Sequence, residues 1–248
     1  MNAIIDRIYT SGVVEDREGH PREAFPASLQ HEDGQALYDI VRKYGPKSSL
    51  EIGMAYGLSS LFICQAHHDN GGARHTVVDP LQTQWFDGIG RLNLERAGFE
   101  SMCTFVEEPS YLALADLIRA GERFDFVFID GNHRFDYTLV DFFLVDKVLD
   151  DGGLVVLHDS WLPAIRKVLA FIVRNRADSF ELVPEFTFPA PFVLKWRRFV
   201  ALLKDNPLDV GAAHVFSARQ FYNYCVLRKT ASHDEVAFAE QWQSYTSF

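Results

Sequence analysis

The chain has 248 residues, 48% hydrophobic and 23% charged, an ordinary balance for a soluble globular protein and long enough for one large domain rather than two. Its net charge of -10, with Lys195-Trp196-Arg197-Arg198 as the one dense basic run, argues against a surface built to neutralise nucleic-acid phosphates. No apolar run reaches the length of a membrane span, the N-terminus lacks a signal-peptide pattern, and the three cysteines, Cys64, Cys103 and Cys225, read as buried free thiols, so a cytoplasmic protein is expected.

Residues 1–33 mix charges, Gly and Pro without a clean period and are expected to form one short helix and an irregular arm; the arm is drawn at 1–34 and a single domain at 35–248. Apolar residues recur at helical spacing from Gln35 to Tyr44, and Gly45-Pro46 stops that helix. A strand–helix rhythm follows. Strands are predicted at 48–53, 75–79, 103–108, 124–130 and 154–159, with helices over 58–66, 84–97, 111–120 and 135–149 between them, and Asp151-Gly152-Gly153 as a tight turn before the fifth strand. These strands are continuous apolar runs, as burial on both faces requires, and their alternation with helices predicts a parallel, doubly wound sheet. After a helix at 164–176, two closing strands at 180–186 and 222–229 bring the α/β fold to a Rossmann-like seven-stranded sheet, mostly parallel with an antiparallel last strand. The aromatic-rich insert between them, 187–219, reads equally as edge packing or as a lid over a substrate.

Ligands of open α/β sheets bind at the carboxyl ends of the strands. Here five successive strands end in acidic residues: Glu51, Asp79, Glu107 with Glu108, Asp130, and Asp159 after His158. Such a rim suits hydroxyls, a cation, or both. The first loop, Glu51-Ile52-Gly53-Met54-Ala55-Tyr56-Gly57-Leu58-Ser59, joins a strand to a helix N-terminus, where glycines admit a ligand to the backbone. It lacks the third glycine of a dinucleotide fingerprint, and the pyrophosphate of NAD would face the acids. A phosphate-free nucleoside carrying a sulfonium cation fits better, with Asp79 placed to accept from two ribose hydroxyls.

LEIGMAYGLSS, VVDP and above all the run from Phe124 to Trp161, FDFVFIDGNHRFDYTLVDFFLVDKVLDDGGLVVLHDSW, resemble class I S-adenosylmethionine-dependent methyltransferases, in the bacterial O-methyltransferase-like branch with an IDG-x-H segment and an HD pair ending the fifth strand. The resemblance covers about residues 35–175. It implies S-adenosylmethionine as cofactor, with Glu51, Gly53 and Gly57 on its methionine portion, Asp79 on its ribose, and Pro109 and Ser110 flanking its adenine. Ala55 and Ser59 in the same loop, and Asp130, complete the expected cofactor contacts.

Methyl transfer from a sulfonium is an in-line displacement, and an alcohol or phenol acceptor must also lose a proton to a base or beside a metal ion. By similarity to metal-dependent sugar and catechol O-methyltransferases, His133 is the implied base, and Asp130 and Asp159 the implied ligands of a divalent ion (Mg, Mn or Zn), with His158 as a third donor. Those sugar-modifying relatives carry glutamate where His158 stands, and the catechol type carries asparagine where Ser160 stands, so metal binding remains open. The other histidine cluster, His67-His68-Asp69, reads as a solvated helix end, and Asp136 and Asp141 as acids decorating the first turns of a helix. The expected partner is a small-molecule acceptor, methylated on a hydroxyl oxygen, with no nucleic acid and no membrane; the arm and the insert could serve a homodimer. Two other classes stay open: a non-catalytic cofactor-binding module, and an NAD-dependent oxidoreductase.

Overall fold

A computed structural model describes residues 2–183 and 223–232, so the insert at 187–219 and the end of the expected strand at 180–186 lie outside the described residues. The arm is more ordered than its composition suggested. Helix α1 (Ala3–Ser11) leads into a two-stranded antiparallel hairpin, β1 (Val13–Glu15) and β2 (Pro21–Glu23), each too short to announce itself by alternation. Helix α2 starts at His31, four residues ahead of the expected Gln35, and runs to Tyr44, where Gly45 caps it in the left-handed conformation.

Among the described residues the main sheet has seven strands. In chain order they are β3 (Ser48–Ile52), β4 (Arg74–Val78), β5 (Cys103–Val106), β6 (Phe124–Ile129), β7 (Leu149–Leu157), β8 (Phe180–Leu182) and β9 (Cys225–Lys229), arranged β5-β4-β3-β6-β7-β9-β8. The first five are parallel, and β9 runs antiparallel between β7 and β8. The intervening helices are α3 (Leu58–Asp69), α4 (Ile89–Arg96), α5 (Ser110–Arg119), α6 (Phe135–Val148) and α7 (Pro163–Asn175). Asp151-Gly152-Gly153 does not form a turn ahead of the fifth parallel strand. It lies inside β7, where the register against β6 shifts, so the strand starts at Leu149 and bulges.

Alternation along the strands feeds two cores. Phe126, Phe128, Leu154 and Val156 pack with α1, α2 and α3 on one face, and Val127, Ile129, Val155 and Leu157 pack with α5, α6 and α7 on the other. Burial on both faces explains why these strands read as unbroken apolar runs. The switch point falls between β3 and β6, where the chain order reverses, and a crevice opens above it at the carboxyl ends.

Candidate active site

A cavity of about 990 Å³ occupies that crevice. Gly53, Met54, Ala55, Leu58 and Ser59 of the glycine loop line it, but not the expected Gly57, with Asp79, Pro109, Ser110, Asp130, His133, His158 and Asp159 around it. Glu32, Asp33 and residues 26–30 of the arm close one side, and Asn223 and Tyr224, just before β9, close another. The region drawn as an arm outside the domain therefore forms part of the wall.

Gly53 continues the sheet, donating its N–H to Val78 O at 2.9 Å, and turns the chain with φ +90°. A Cβ there would fall 2.2 Å from the carbonyl oxygen of Asp130, so only glycine lets the loop close over β6. The loop ends at Gly57, the N-cap of α3, and no side chain caps that helix. Leu58 and Ser59, which begin the helix, line the cavity, so the positive end of the helix dipole lies beside it, a seat suited to a carboxylate.

Only part of the expected acidic rim reaches this cavity. Glu51 is fully buried on the α3 side of β3, where Ser60 Oγ and His75 Nε2, the latter at 2.9 Å, bond its Oε2. Its parity in the strand, shared with Ser49, turns it away from the crevice, so it is not among the cavity-lining residues. Glu107 instead accepts from Thr83 N–H at 2.6 Å on the exterior. Asp79 does line the cavity, but as an organiser of the loop: its Oδ2 accepts from the N–H groups of Met54 at 2.8 Å and Ala55 at 2.9 Å, and its Oδ1 from Leu81 N–H at 2.8 Å. Among the described residues Leu81 N–H is the donor to Oδ1, and that oxygen retains accepting capacity toward a ligand hydroxyl.

The catalytic candidates converge. Asp130 ends β6, its N–H bonded to Ile52 O, and His158 and Asp159 follow β7. His133 stands on the loop before α6. There Asn132 Oδ1 accepts from Arg134 N–H at 3.1 Å and Thr138 Oγ1 donates to Asn132 O at 3.0 Å, fixing the turn that carries the imidazole. His133 Nε2 lies 3.3 Å from Asp130 Oδ1 and 3.2 Å from Asp159 Oδ2. Trp161 Nε1 donates to Asp159 Oδ1 at 2.8 Å, and Asp159 itself sits at φ +50°, uncommon for a residue with a Cβ and costing about 1–3 kcal/mol of local strain. The hydrogen bond to Asp130 raises the pKa of His133 above the ordinary histidine value, against the effect of its partial burial. Burial would push Asp130 upward, but the charge and hydrogen bonds of His158 and His133 bring it below the usual carboxylate range.

Donor atoms of Asp130, His133 and Asp159 lie within 4.8 Å of one another, a set of two carboxylates and one imidazole that matches the donor chemistry of a divalent cation. The grouping differs from the expected one, in which His158 was the histidine. His158 Nδ1 is 2.9 Å from Asp130 Oδ1, and its Nε2 faces the Asn223 amide at 3.1 Å, so both ring nitrogens already have partners.

Two buried groups escaped the sequence reading. His67 is not a solvated helix end: it is buried against Ser49 Oγ at 2.7 Å, and desolvation lowers its pKa to about 3. Asp141 is buried behind the cavity, accepts from Ser110 Oγ at 2.5 Å, and is pushed by burial up to about 6. Its folded-state pKa exceeds the unfolded value near 3.8, so the native state binds more protons between those limits and stability falls as pH rises from about 4 to 6. Asp141→Asn keeps an acceptor for Ser110 and removes the charge. Urea unfolding should find the variant more stable than wild type by about 2–3 kcal/mol near pH 7.5, with the difference closing toward pH 4.

Fold and site together define a Rossmann-like α/β domain with a nucleoside-sized crevice and an Asp/His/Asp cluster at its mouth. Residues 50–160 match the family model of a methyltransferase domain. The chain is 27% identical over 146 residues to a caffeoyl-CoA O-methyltransferase of Stellaria longipes, covering 54% of this chain and 59% of that protein. A second caffeoyl-CoA O-methyltransferase, from Petunia hybrida, is 26% identical over 57% of this chain and 61% of its own length, so the chain spans about three fifths of these curated relatives. Among solved structures, the O-methyltransferase of Bacillus cereus in complex with SAH superposes with a TM-score of 0.61 at 13% identity, over 93% of this chain and 92% of that one. TomG of Streptomyces achromogenes, an O-methyltransferase of tomaymycin synthesis in complex with SAM, gives 0.58 at 14% identity over 93% and 91%. Over residues 50–160 the chain is thus similar to methyltransferase domains, and the curated relatives and solved structures it resembles are O-methyltransferases.

Proposed function

We propose that this protein transfers the methyl group of S-adenosylmethionine to a hydroxyl oxygen of a small-molecule acceptor, with His133 as the base. The observation that carries this reading is the placement of His133 Nε2 between Asp130 and Asp159, at 3.3 and 3.2 Å, in the same cavity as the glycine loop. The α3 N-terminus would take the carboxylate of the cofactor's methionine, Gly53, Ala55 and Ser59 would let its chain approach the backbone, Asp79 Oδ1 would accept from its ribose, and Pro109 and Ser110 would border its adenine, while Gly57 serves the loop's packing against Gly90. Glu51 is left out of this contact set, because its carboxylate is buried against Ser60 and His75.

His133 and the two carboxylates then act on the acceptor. The imidazole, when neutral, takes the hydroxyl proton as the oxygen attacks the methyl carbon, the bond from that carbon to the sulfonium sulfur breaks and releases S-adenosylhomocysteine, and the carboxylates stabilise the imidazolium that results. Asp130, Asp159 and His133 alternatively fit a divalent cation; with His133 then a ligand, the cation in place of the imidazole would lower the pKa of a bound hydroxyl and orient it.

Methyl-labelled S-adenosylmethionine offered with a panel of phenols, catechols and sugars tests the reading, with and without a chelator. Label appearing on an acceptor oxygen supports it, and loss of that signal on chelation adds the cation. No turnover with any acceptor, despite cofactor binding, would favour a non-catalytic cofactor-binding module.

A further inference from the structure

We propose that Asp33 and Asn223 are positioning residues that set the tautomer of His158 and, through it, the aim of Asp130. This rests on the methyl-transfer reading above. Neither residue lies within the matched methyltransferase segment: Asp33 is in the first turn of α2, and Asn223 lies two residues before the start of β9.

The argument is one of donors and acceptors. Asn223 Nδ2 lies 2.6 Å from Asp33 Oδ2. An ionised carboxylate only accepts, so the amide must present its nitrogen there; a flipped amide would set its own oxygen against the carboxylate. The same nitrogen lies 3.1 Å from His158 Nε2, where its second hydrogen is donated. Nε2 is therefore the acceptor of the ring, and the ring hydrogen sits on Nδ1, which donates to Asp130 Oδ1 at 2.9 Å.

Asp33 Oδ2 is 3.9 Å from Nε2, beyond hydrogen-bond reach, and the Asn223 amide fills that approach. The short contacts therefore select the Nδ1–H form.

Each member of this relay is itself held. Ser160 N–H donates to Asn223 O at 3.1 Å, Tyr224 OH donates to Asp33 O at 2.7 Å, and the Tyr224 ring packs 5.1 Å from the imidazole of His158. At the far end two imidazoles meet on one oxygen, because Asp130 Oδ1 also faces His133 Nε2 at 3.3 Å. Fixing the direction of the His158 bond thus fixes the carboxylate against which His133 is set. Partners of this outer kind orient an inner group without touching the reacting atoms, and removing them costs about 10–100-fold in activity.

A polarity swap tests this. Asn223→Asp alone places two carboxylates side by side. Combined with Asp33→Asn, it restores an amide–carboxylate hydrogen bond between the two positions but turns an acceptor toward His158 Nε2, which then needs a hydrogen. Long-range ¹H–¹⁵N spectra should show His158 protonated on Nδ1 alone in the wild type and on both ring nitrogens in the double variant, where a carboxylate faces each of them. The melting temperature should return near wild type, SAH affinity should stay within about threefold, and kcat should fall about tenfold or more.

Unchanged ring-nitrogen signals, or wild-type kcat in the double variant, would overturn the proposal, as would kcat and SAH affinity falling together. Were the wild type to methylate no acceptor, the methyl-transfer reading would fail, while the ring-nitrogen pattern would still decide whether Asp33 and Asn223 set the tautomer.

Discussion

Replacing His133 by alanine is expected to lower kcat by roughly 10²–10⁴-fold while SAH affinity stays within about threefold. The imidazole is 44% exposed and lies at the mouth of the cavity, so its removal leaves no large void in the core. What it removes is the imidazole whose Nε2 lies 3.3 Å from Asp130 and 3.2 Å from Asp159, the proposed base. The pH dependence carries the same claim with a definite sign. His133 works as a base only when deprotonated, and Asp130 raises its pKa above the ordinary value near 6.5. Thus kcat/KM should rise with pH through an inflection above 6.5, and this limb should vanish in His133→Ala. Steady-state rates across pH check both statements. A variant with wild-type kcat would remove His133 from the mechanism.

Gly53→Ala should do comparable damage by a different route. The added methyl would lie 2.2 Å from the carbonyl oxygen of Asp130 and 2.8 Å from the Cα of Gly131, both backbone atoms with no rotamer to yield, and φ at +90° is strained for alanine. Either the glycine loop lifts or the end of β6 shifts, and each displaces a cofactor-facing wall together with Asp130. Strain and overlap together imply a loss of about 2–5 kcal/mol in unfolding free energy, with SAH affinity falling at least about tenfold. Denaturant titration and calorimetry would read the two effects. Wild-type affinity in a fully folded variant would mean that the loop does not form the cofactor seat.

The sheet was legible because of its burial. Phe124–Ile129 and Leu154–Leu157 are apolar on both faces, and that shows as unbroken runs without any knowledge of neighbours. The parallel order then followed from the helices between them. The glycine loop, Asp130, His133 and Asp159 could likewise be placed, since the carboxyl end of a strand is a position in sequence as well as in space.

Which side of the sheet a strand-end acid serves was less legible. Glu51 and Asp79 both stand near strand ends, yet Glu51 shares parity with Ser49 and points to a partner, His75, that belongs to another strand. Asp141 could have been suspected: it is the seventh residue of α6, beyond the first turn where an acid serves the dipole, and it sits beside Phe142 in an apolar stretch. Asp33 and Asn223 had no such signal. They are 190 positions apart, and only the closing of α2 and β9 over the rim brings their side chains to 2.6 Å.

The central claim is that this crevice holds S-adenosylmethionine and not a dinucleotide. Titration calorimetry with SAH and, separately, with NAD tests it most directly. The structure predicts saturable one-to-one binding of SAH, weakened in Gly53→Ala, and no heat from NAD. Binding of NAD with none of SAH would contradict it.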